Sequence, residues 1–324
     1  MNPLKIPGAM LRLAGIEARS FAILARHGLP DAMLQFGGGL GDEMYLTAVA
    51  HELHRRNSAT KIWQVSHSAS LLYHNPDYHR VFSWEQWYLR YSKLLNGRRI
   101  NLRYTTELVP QRSEVPPKEH VIKILCRNAG VRGAIEQRPY YHAGPDEKEF
   151  GEIRPGQIAV QCLGKDSYPT IWLNKLWDVN RFQTVVDILR ERFGYRVVQL
   201  GTVGDPPLRG TIDLRGKNSL RDDATVLSQS EFFVGLEGFL MHLARAIGRR
   251  SVIIFGGRIH SFQTGYTCNE NLDSFVECAP CWQWHDCDFD RKCMTMISVE
   301  HVIAAVERLR GRLKMQIEQD ITEI

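Results

Sequence analysis

At 324 residues, with 44% hydrophobic and 24% charged residues, the chain has the composition of a globular protein and exceeds what one hydrophobic core comfortably organises, so two domains are expected. A net charge of +5 and a pI near 8.8 suit an anionic ligand or surface but are too mild to predict nucleic-acid binding, and no zinc-finger, RRM or helix-turn-helix pattern is present. No apolar run reaches the roughly 18 residues of a membrane span, and Arg12, Glu17, Arg19 and Arg26 interrupt the N-terminus where a signal peptide would be apolar, so a cytoplasmic location is expected.

Residues 1–30 read as an extension. Met10, Leu11, Ala14, Ile16, Phe21 and Leu24 fall at helical spacing with arginines between them, and such a basic amphipathic helix either packs on its own domain or touches a membrane or a partner. The first domain is expected over residues 31–150. Asp31–Phe36 is a strand pattern running into Gly37-Gly38-Gly39-Leu40-Gly41-Asp42, and Tyr45, Leu46, Val49, Ala50 and Leu53 then share one helical face. Strand, glycine loop and helix open a doubly wound domain. G-x-G-x-x-G is not in register, because Asp42 stands where the third glycine belongs, and no acid follows the next strand (61–65) to hold a ribose, which argues against a dehydrogenase. Gly38, Gly39 and Gly41 let backbone approach a ligand, and Asp42 at a helix start can accept a proton from a hydroxyl within hydrogen-bond reach. Glu43 is adjacent, and the sequence leaves both carboxylates open, as it leaves open that Asp42 only caps the helix. Strands at 80–83 and 100–104 and helices at 84–95 and 118–129 follow, in a ring-rich region (His67, Tyr73, Trp84, Trp87, Tyr91) suited to packing or to stacking on sugars. Residues 138–156, with prolines, glycines and charges, read as a linker.

The second domain is expected over residues 151–305. It begins with a strand at Ile158–Cys162, passes Lys175-Leu176-Trp177, and enters an amphipathic helix through Phe182, Val185, Val186, Ile188 and Leu189; a strand at 195–200 precedes a loop and Asp205. Phe232–Leu236, Phe239–Ile247 and Ser251–Phe255 then read as strand, helix and strand. A crossover helix makes the two strands parallel and puts the helix start at the carboxyl edge of the sheet. There Glu237 and Gly238 precede Phe239, with His242 one turn on, and free backbone N–H groups and the helix dipole favour an anion such as a pyrophosphate. Of seven cysteines, Cys278, Cys281, Cys287 and Cys293 are spaced C-x2-C-x5-C-x5-C, a ligand spacing for a structural zinc or iron; free thiols and a disulfide are the other readings. Closing helices are expected at 297–309 and 312–321.

These motifs together resemble glycosyltransferase family 9, the ADP-heptose:lipopolysaccharide heptosyltransferases. Glu237-Gly238-Phe239-Leu240-Met241-His242-Leu243-Ala244 followed by Phe255-Gly256 is similar to the family's Asp-Ser/Thr-Gly-x-x-His-Leu-Ala and Phe-Gly, with an acid one methylene longer and the glycine one place early. Gly41-Asp42 resembles its Gly-Asp loop and Lys175-Leu176-Trp177 its Lys-x-Trp pair; the resemblance runs from Asp31 to about Arg310 and is strongest after Lys175. It implies a GT-B fold, two doubly wound parallel-sheet (Rossmann-like) domains facing across a cleft, with residues 306–324 crossing back to the first. It implies transfer of heptose from ADP-heptose, with inversion, to a hydroxyl of a lipopolysaccharide core or related glycan. Asp42 would be the general base and Gly38, Gly39 and Gly41 the acceptor loop. Lys175 would hold a phosphate, Asp205 would lie near the ribose or base, and Glu237, Gly238, Phe239, His242 and Gly256 would complete the donor site. No metal is required for that chemistry. In some relatives a similar cysteine cluster ending in Cys-Met, here Cys293-Met294, holds iron. Implied partners are a nucleotide sugar and a glycan or lipid-linked acceptor, with the enzyme peripheral at the inner face of a membrane and no nucleic acid. The alternatives are another nucleotide-sugar donor, a protein acceptor, or a non-catalytic scaffold stapled by a metal.

Overall fold

The computed structural model describes residues 5–35, 38–105, 115–164, 173–283 and 285–322. The chain divides into two units, one made of Met1–Arg103 and Ile122–Glu136, the other of Tyr104–Val121 and Gln137–Ile324.

The first unit carries four parallel strands, β1 (Ala32–Gln35), β2 (Ile62–Ser66), β3 (Arg80–Ser83) and β4 (Arg99–Asn101), in the order β3-β2-β1-β4. Ala32, Met33 and Leu34 are buried, as expected of a central parallel strand covered on both faces. Phe36 and Gly37 lie outside the described residues. The strand order reverses beside β1, so the glycine loop leaves the sheet at its switch point and enters the helix Leu40–Arg56. Gly41 falls inside the first turn of that helix instead of in the loop.

The helix expected at 84–95 is two 3-10 segments, Trp84–Arg90 and Lys93–Arg98, with Gln86 off helical geometry. Glu17 of the N-terminal helix Lys5–His27 explains the break. Its carboxylate accepts from Ser92 Oγ at 2.6 Å and from the Lys93 N–H at 2.5 Å, claiming a donor that a continuous helix needs for itself. The same helix packs Ile23 and Leu24 on the first-unit core of Met33, Trp63, Val65, Phe82, Leu89 and Leu95. Residues 118–129 form their helix at Val121–Asn128.

The second unit carries six parallel strands, β5 (Gln157–Val160), β6 (Arg196–Gln199), β7 (Ile212–Asp213), β8 (Phe233–Leu236), β9 (Ser251–Gly256) and β10 (Glu270–Asp273), ordered β10-β9-β8-β5-β6-β7. This is the Rossmann order, with its switch point between β5 and β8. Helices Val179–Glu191, Leu220–Gln229 and Phe239–Ala246 connect the strands. A single closing helix, Val299–Thr322, replaces the two expected. Gly311 inside it costs only about 1 kcal/mol relative to alanine, too little to end a helix whose Val302, Ile303, Ala305, Val306 and Leu309 are buried in the second-unit core. Residues 306–324, expected to cross back to the first unit, group with the second. Arg308 and Arg312 pin the helix there, each 2.8 Å from a carboxylate oxygen of Glu270 on β10.

Candidate active site

At the carboxyl edge of the second sheet, the loops after β5 and β8 bring Lys175 and Glu237 together. Trp177 explains how Lys175 is placed: its indole is buried and Nε1 donates to the Ile297 carbonyl at 2.8 Å, anchoring the chain two residues beyond the 3-10 turn Leu173–Lys175. Asp178 then caps the helix Val179–Glu191, accepting from the Arg181 N–H at 3.0 Å. Lys175 is thus held directly ahead of an anchored indole and a helix start. Its ammonium donates to Glu237 Oε2. A cavity of about 500 Å3 flanks this turn, walled by Leu163, Leu176, Trp177, Arg291 and Met294.

Glu237 is the residue on which this edge turns. Burial by itself raises a carboxyl pKa, but the charges around it, Lys175 foremost, together with the Lys175 hydrogen bond outweigh burial, and Glu237 is held below its ordinary value. His242 Nε2 lies 4.0 Å from Glu237 Oε1, and its Nδ1 is 2.7 Å from the Tyr266 hydroxyl. Burial pushes the His242 pKa down to about 3, with Lys175 adding to the effect against the pull of Glu237, so the imidazole is neutral. A neutral ring has one N–H. The tautomer that serves both neighbours protonates Nε2 toward the carboxylate and lets Nδ1 accept from Tyr266. Gly238, the N-cap of Phe239–Ala246, supplies no side-chain cap, and the N–H groups of a first turn with the helix dipole behind them favour an anion.

Three residues that sequence reasoning passed over join this edge. Tyr266 orients His242, and its own ring centroid is 5.9 Å from that of His120. His120, whose Nε2 is 2.9 Å from the Gly265 carbonyl, comes from the segment Tyr104–Val121, which belongs to the second unit although it precedes that unit's first strand. Arg258, buried just past β9, reinforces the ionised form of Glu237 and donates from Nε to the Gln283 carbonyl at 3.0 Å. Only Arg258 left a trace in the sequence, as the cation two residues beyond Phe255-Gly256.

Gly256 ends β9 with φ +68, and a Cβ there would lie 2.0 Å from Met294 Sδ. A Cβ on Gly257 would lie 2.7 Å from Cys293 Cβ, so the cysteine-bearing loop packs directly on the end of β9. Cys278, Cys281, Cys287 and Cys293 are free thiols, and burial raises the pKa of Cys281 and of Cys293. Among the described residues no three His, Cys, Asp or Glu side chains gather as a metal-holding group. Asp205 is buried in its own turn, accepting from the Thr202 N–H at 2.9 Å and from its hydroxyl at 3.2 Å.

In the first unit, Gly38 and Gly39 lead into the helix and Asp42 folds back on it, Oδ2 accepting from the Gly39 N–H at 2.7 Å. The capping geometry and a solvent-accessible carboxylate coexist: Asp42 is half-buried. Glu43, one residue on, points the other way. It is buried against Gln64 of β2, which donates to Oε2, and further hydrogen bonds come from Ser66 and the His67 backbone. Desolvation dominates those bonds and raises its pKa to about 7. The structure therefore separates two carboxylates that the sequence left side by side.

Residues 168–286, which hold Lys175, Glu237, His242 and Tyr266, match the model of glycosyltransferase family 9 (heptosyltransferase). Lipopolysaccharide heptosyltransferase 3 of Escherichia coli (strain K12) is 29% identical over 175 residues, covering 46% of this chain and 48% of that relative. The chain thus matches about half the length of that relative. Among solved structures, the family 9 glycosyl transferase from Veillonella parvula DSM 2008 superposes with a TM-score of 0.62 at 16% identity, covering 86% of this chain and 97% of that one. The dodecameric iron-containing heptosyltransferase TibC of enterotoxigenic E. coli H10407, solved in complex with ADP-D-beta-D-heptose, gives 0.62 at 18% identity, covering 88% and 78%. At such identities the likeness is one of fold, the GT-B class with two Rossmann-type parallel sheets.

Proposed function

We propose that the chain is a glycosyltransferase that moves a heptose from ADP-heptose to a hydroxyl acceptor, with inversion. The observation that carries this reading is the Lys175–Glu237–His242 constellation at the switch point of the second sheet, inside the family 9 segment. A diphosphate seated at the start of Phe239–Ala246 meets amides that carry no side-chain cap, with the positive charge of Lys175 at the same sheet edge. Charge placed in advance where the leaving group develops its own is the largest single source of catalysis in such sites.

In the proposed step, the acceptor oxygen forms a bond to the anomeric carbon while the bond from that carbon to the phosphate oxygen breaks. ADP leaves with the electron pair, stabilised by Lys175 and the helix amides, and the hydroxyl proton passes to Asp42. Glu43, raised to about 7 and walled in by Gln64, is the weaker candidate for base because its carboxylate faces β2. No metal ion takes part in this scheme. The acceptor proposed is a lipopolysaccharide core or related glycan, and the location proposed is the cytoplasm, peripheral at the membrane's inner face. Calorimetric titration with ADP-heptose against UDP- and GDP-sugars tests the donor: saturable binding of ADP-heptose alone is expected. Binding of another sugar nucleotide in its place changes the donor, and binding of none overturns the enzymatic reading in favour of a scaffold.

A further inference from the structure

The N-terminal helix Lys5–His27 has two faces that the fold uses differently. One, through Ile23, Leu24 and Glu17, packs on the 3-10 segments of the first unit. On the other, Met10, Leu11 and Phe21 are 68%, 74% and 66% exposed. With Ala14, Ala18 and Ala22, also exposed, they form a continuous apolar arc about 120° wide at 100° per residue. Arg12, Arg19 and Arg26, each seven residues apart and each exposed, make a single row along one border of that arc. Beyond the other border, where Glu17 meets Ser92 and the Lys93 and Leu94 amides, Tyr91 and Leu94 are exposed as well. Apolar and aromatic side chains thus spread over two neighbouring elements, in a patch a monomer rarely leaves to water.

We infer that this face docks on an anionic phospholipid surface, the helix lying in the plane of the interface. Charge selects this occupant. The first thirty residues contain one acid, Glu17, and the fold turns it inward onto Ser92 and Lys93, so the exposed face is apolar with a purely cationic border. A second copy of the helix would bring one arginine row near another with no acid on the helix's exposed face to pair with it. Lipid headgroups supply the missing negative charge, while Leu11 and Phe21 enter the acyl boundary. No described helix is long and apolar enough to cross a membrane, consistent with a helix that lies on the surface. The inference gives the proposed peripheral location a surface, and its test needs no donor or acceptor, so it stands or falls apart from the transfer reaction.

The test is sedimentation of the full chain with vesicles of phosphatidylglycerol and phosphatidylcholine, and with phosphatidylcholine alone. Binding to the anionic vesicles only, weakening with salt, is expected. Arg12→Gln/Arg19→Gln/Arg26→Gln should weaken it on the order of 100-fold, about fivefold for each charge removed. Arg12→Lys/Arg19→Lys/Arg26→Lys should keep it, and the contrast between the two triple variants controls for any loss of folding. Leu11→Asp/Phe21→Asp should abolish it with the melting temperature unchanged, because both side chains are exposed. A parent that stays in the supernatant at low salt, or a glutamine variant that folds and binds as well as the parent, overturns the inference. So does a parent dimer that Leu11→Asp/Phe21→Asp converts to monomer without any vesicle binding.

Discussion

Replacing Glu43 by glutamine isolates the energetics of one buried carboxyl. Its folded pKa is raised from 4.5 to about 7, which at about 1.4 kcal/mol per tenfold amounts to about 3 kcal/mol favouring the neutral form. The sign follows from linkage: in the unfolded chain Glu43 ionises above about 4.5, whereas in the folded chain it keeps its proton until about 7. The unfolded state therefore binds fewer protons across that window, and stability falls as pH rises through it. Above about pH 8 the native protein carries the whole cost of an ionised, desolvated carboxylate, which glutamine avoids. Glutamine also fits the site, because Gln64 Oε1 is buried without a partner, and turning that amide offers it to the new NH2 group. Urea unfolding of the parent and Glu43→Gln at about pH 5 and about pH 8 should show the variant gaining roughly 2 to 3 kcal/mol on the parent between the two. Asp223, raised to about 6, titrates in the same window but cancels in the difference. A gap between parent and variant that does not change with pH refutes the reasoning.

Asp42→Asn keeps a side-chain oxygen able to accept from the Gly39 N–H, and should lower heptosyl transfer by roughly 10²- to 10⁴-fold with donor affinity unchanged; equal turnover moves the base elsewhere. Lys175→Met strands Glu237, buried and ionised, and should cost on the order of 3 kcal/mol near neutral pH. That deficit should shrink as pH falls and Glu237 takes up a proton, and adding Glu237→Gln should recover part of it, all measurable by denaturant titration. Gly256→Ala places a Cβ against Met294 Sδ in a left-handed backbone conformation and should lower stability by roughly 2 kcal/mol, with Gly256→Ala/Met294→Ala recovering only the steric part. Tyr266→Phe removes the hydroxyl beside His242 Nδ1 and should weaken donor binding by less than Lys175→Met does, as read by calorimetry.

The sequence by itself determined most strands of the two sheets and the helices between the strands of the second. Apolar runs alternating with helical periods point to a parallel sheet, and an acid directly past a strand stands at the carboxyl edge whatever the rest of the chain does, which is why the place of Glu237, with His242 one helical turn on, was legible. Lys175, by contrast, lies well beyond the end of β5 and was singled out by resemblance alone. Which of two adjacent carboxylates is walled in was not legible: Asp42 and Glu43 differ only in the side of the helix they leave, and it is Gln64 on another strand that separates them. The same holds for Glu17, whose carboxylate splits an expected helix into two 3-10 turns 75 residues away. It holds for Tyr266, which meets His242 from 24 residues further on, and for His120, which lies against Tyr266 from far earlier in the chain. Periodicity is a property of neighbours along the chain, whereas desolvation and hydrogen-bond partners come from whatever the folded chain packs alongside; the first set the architecture here, and the second decided which charges survive inside it.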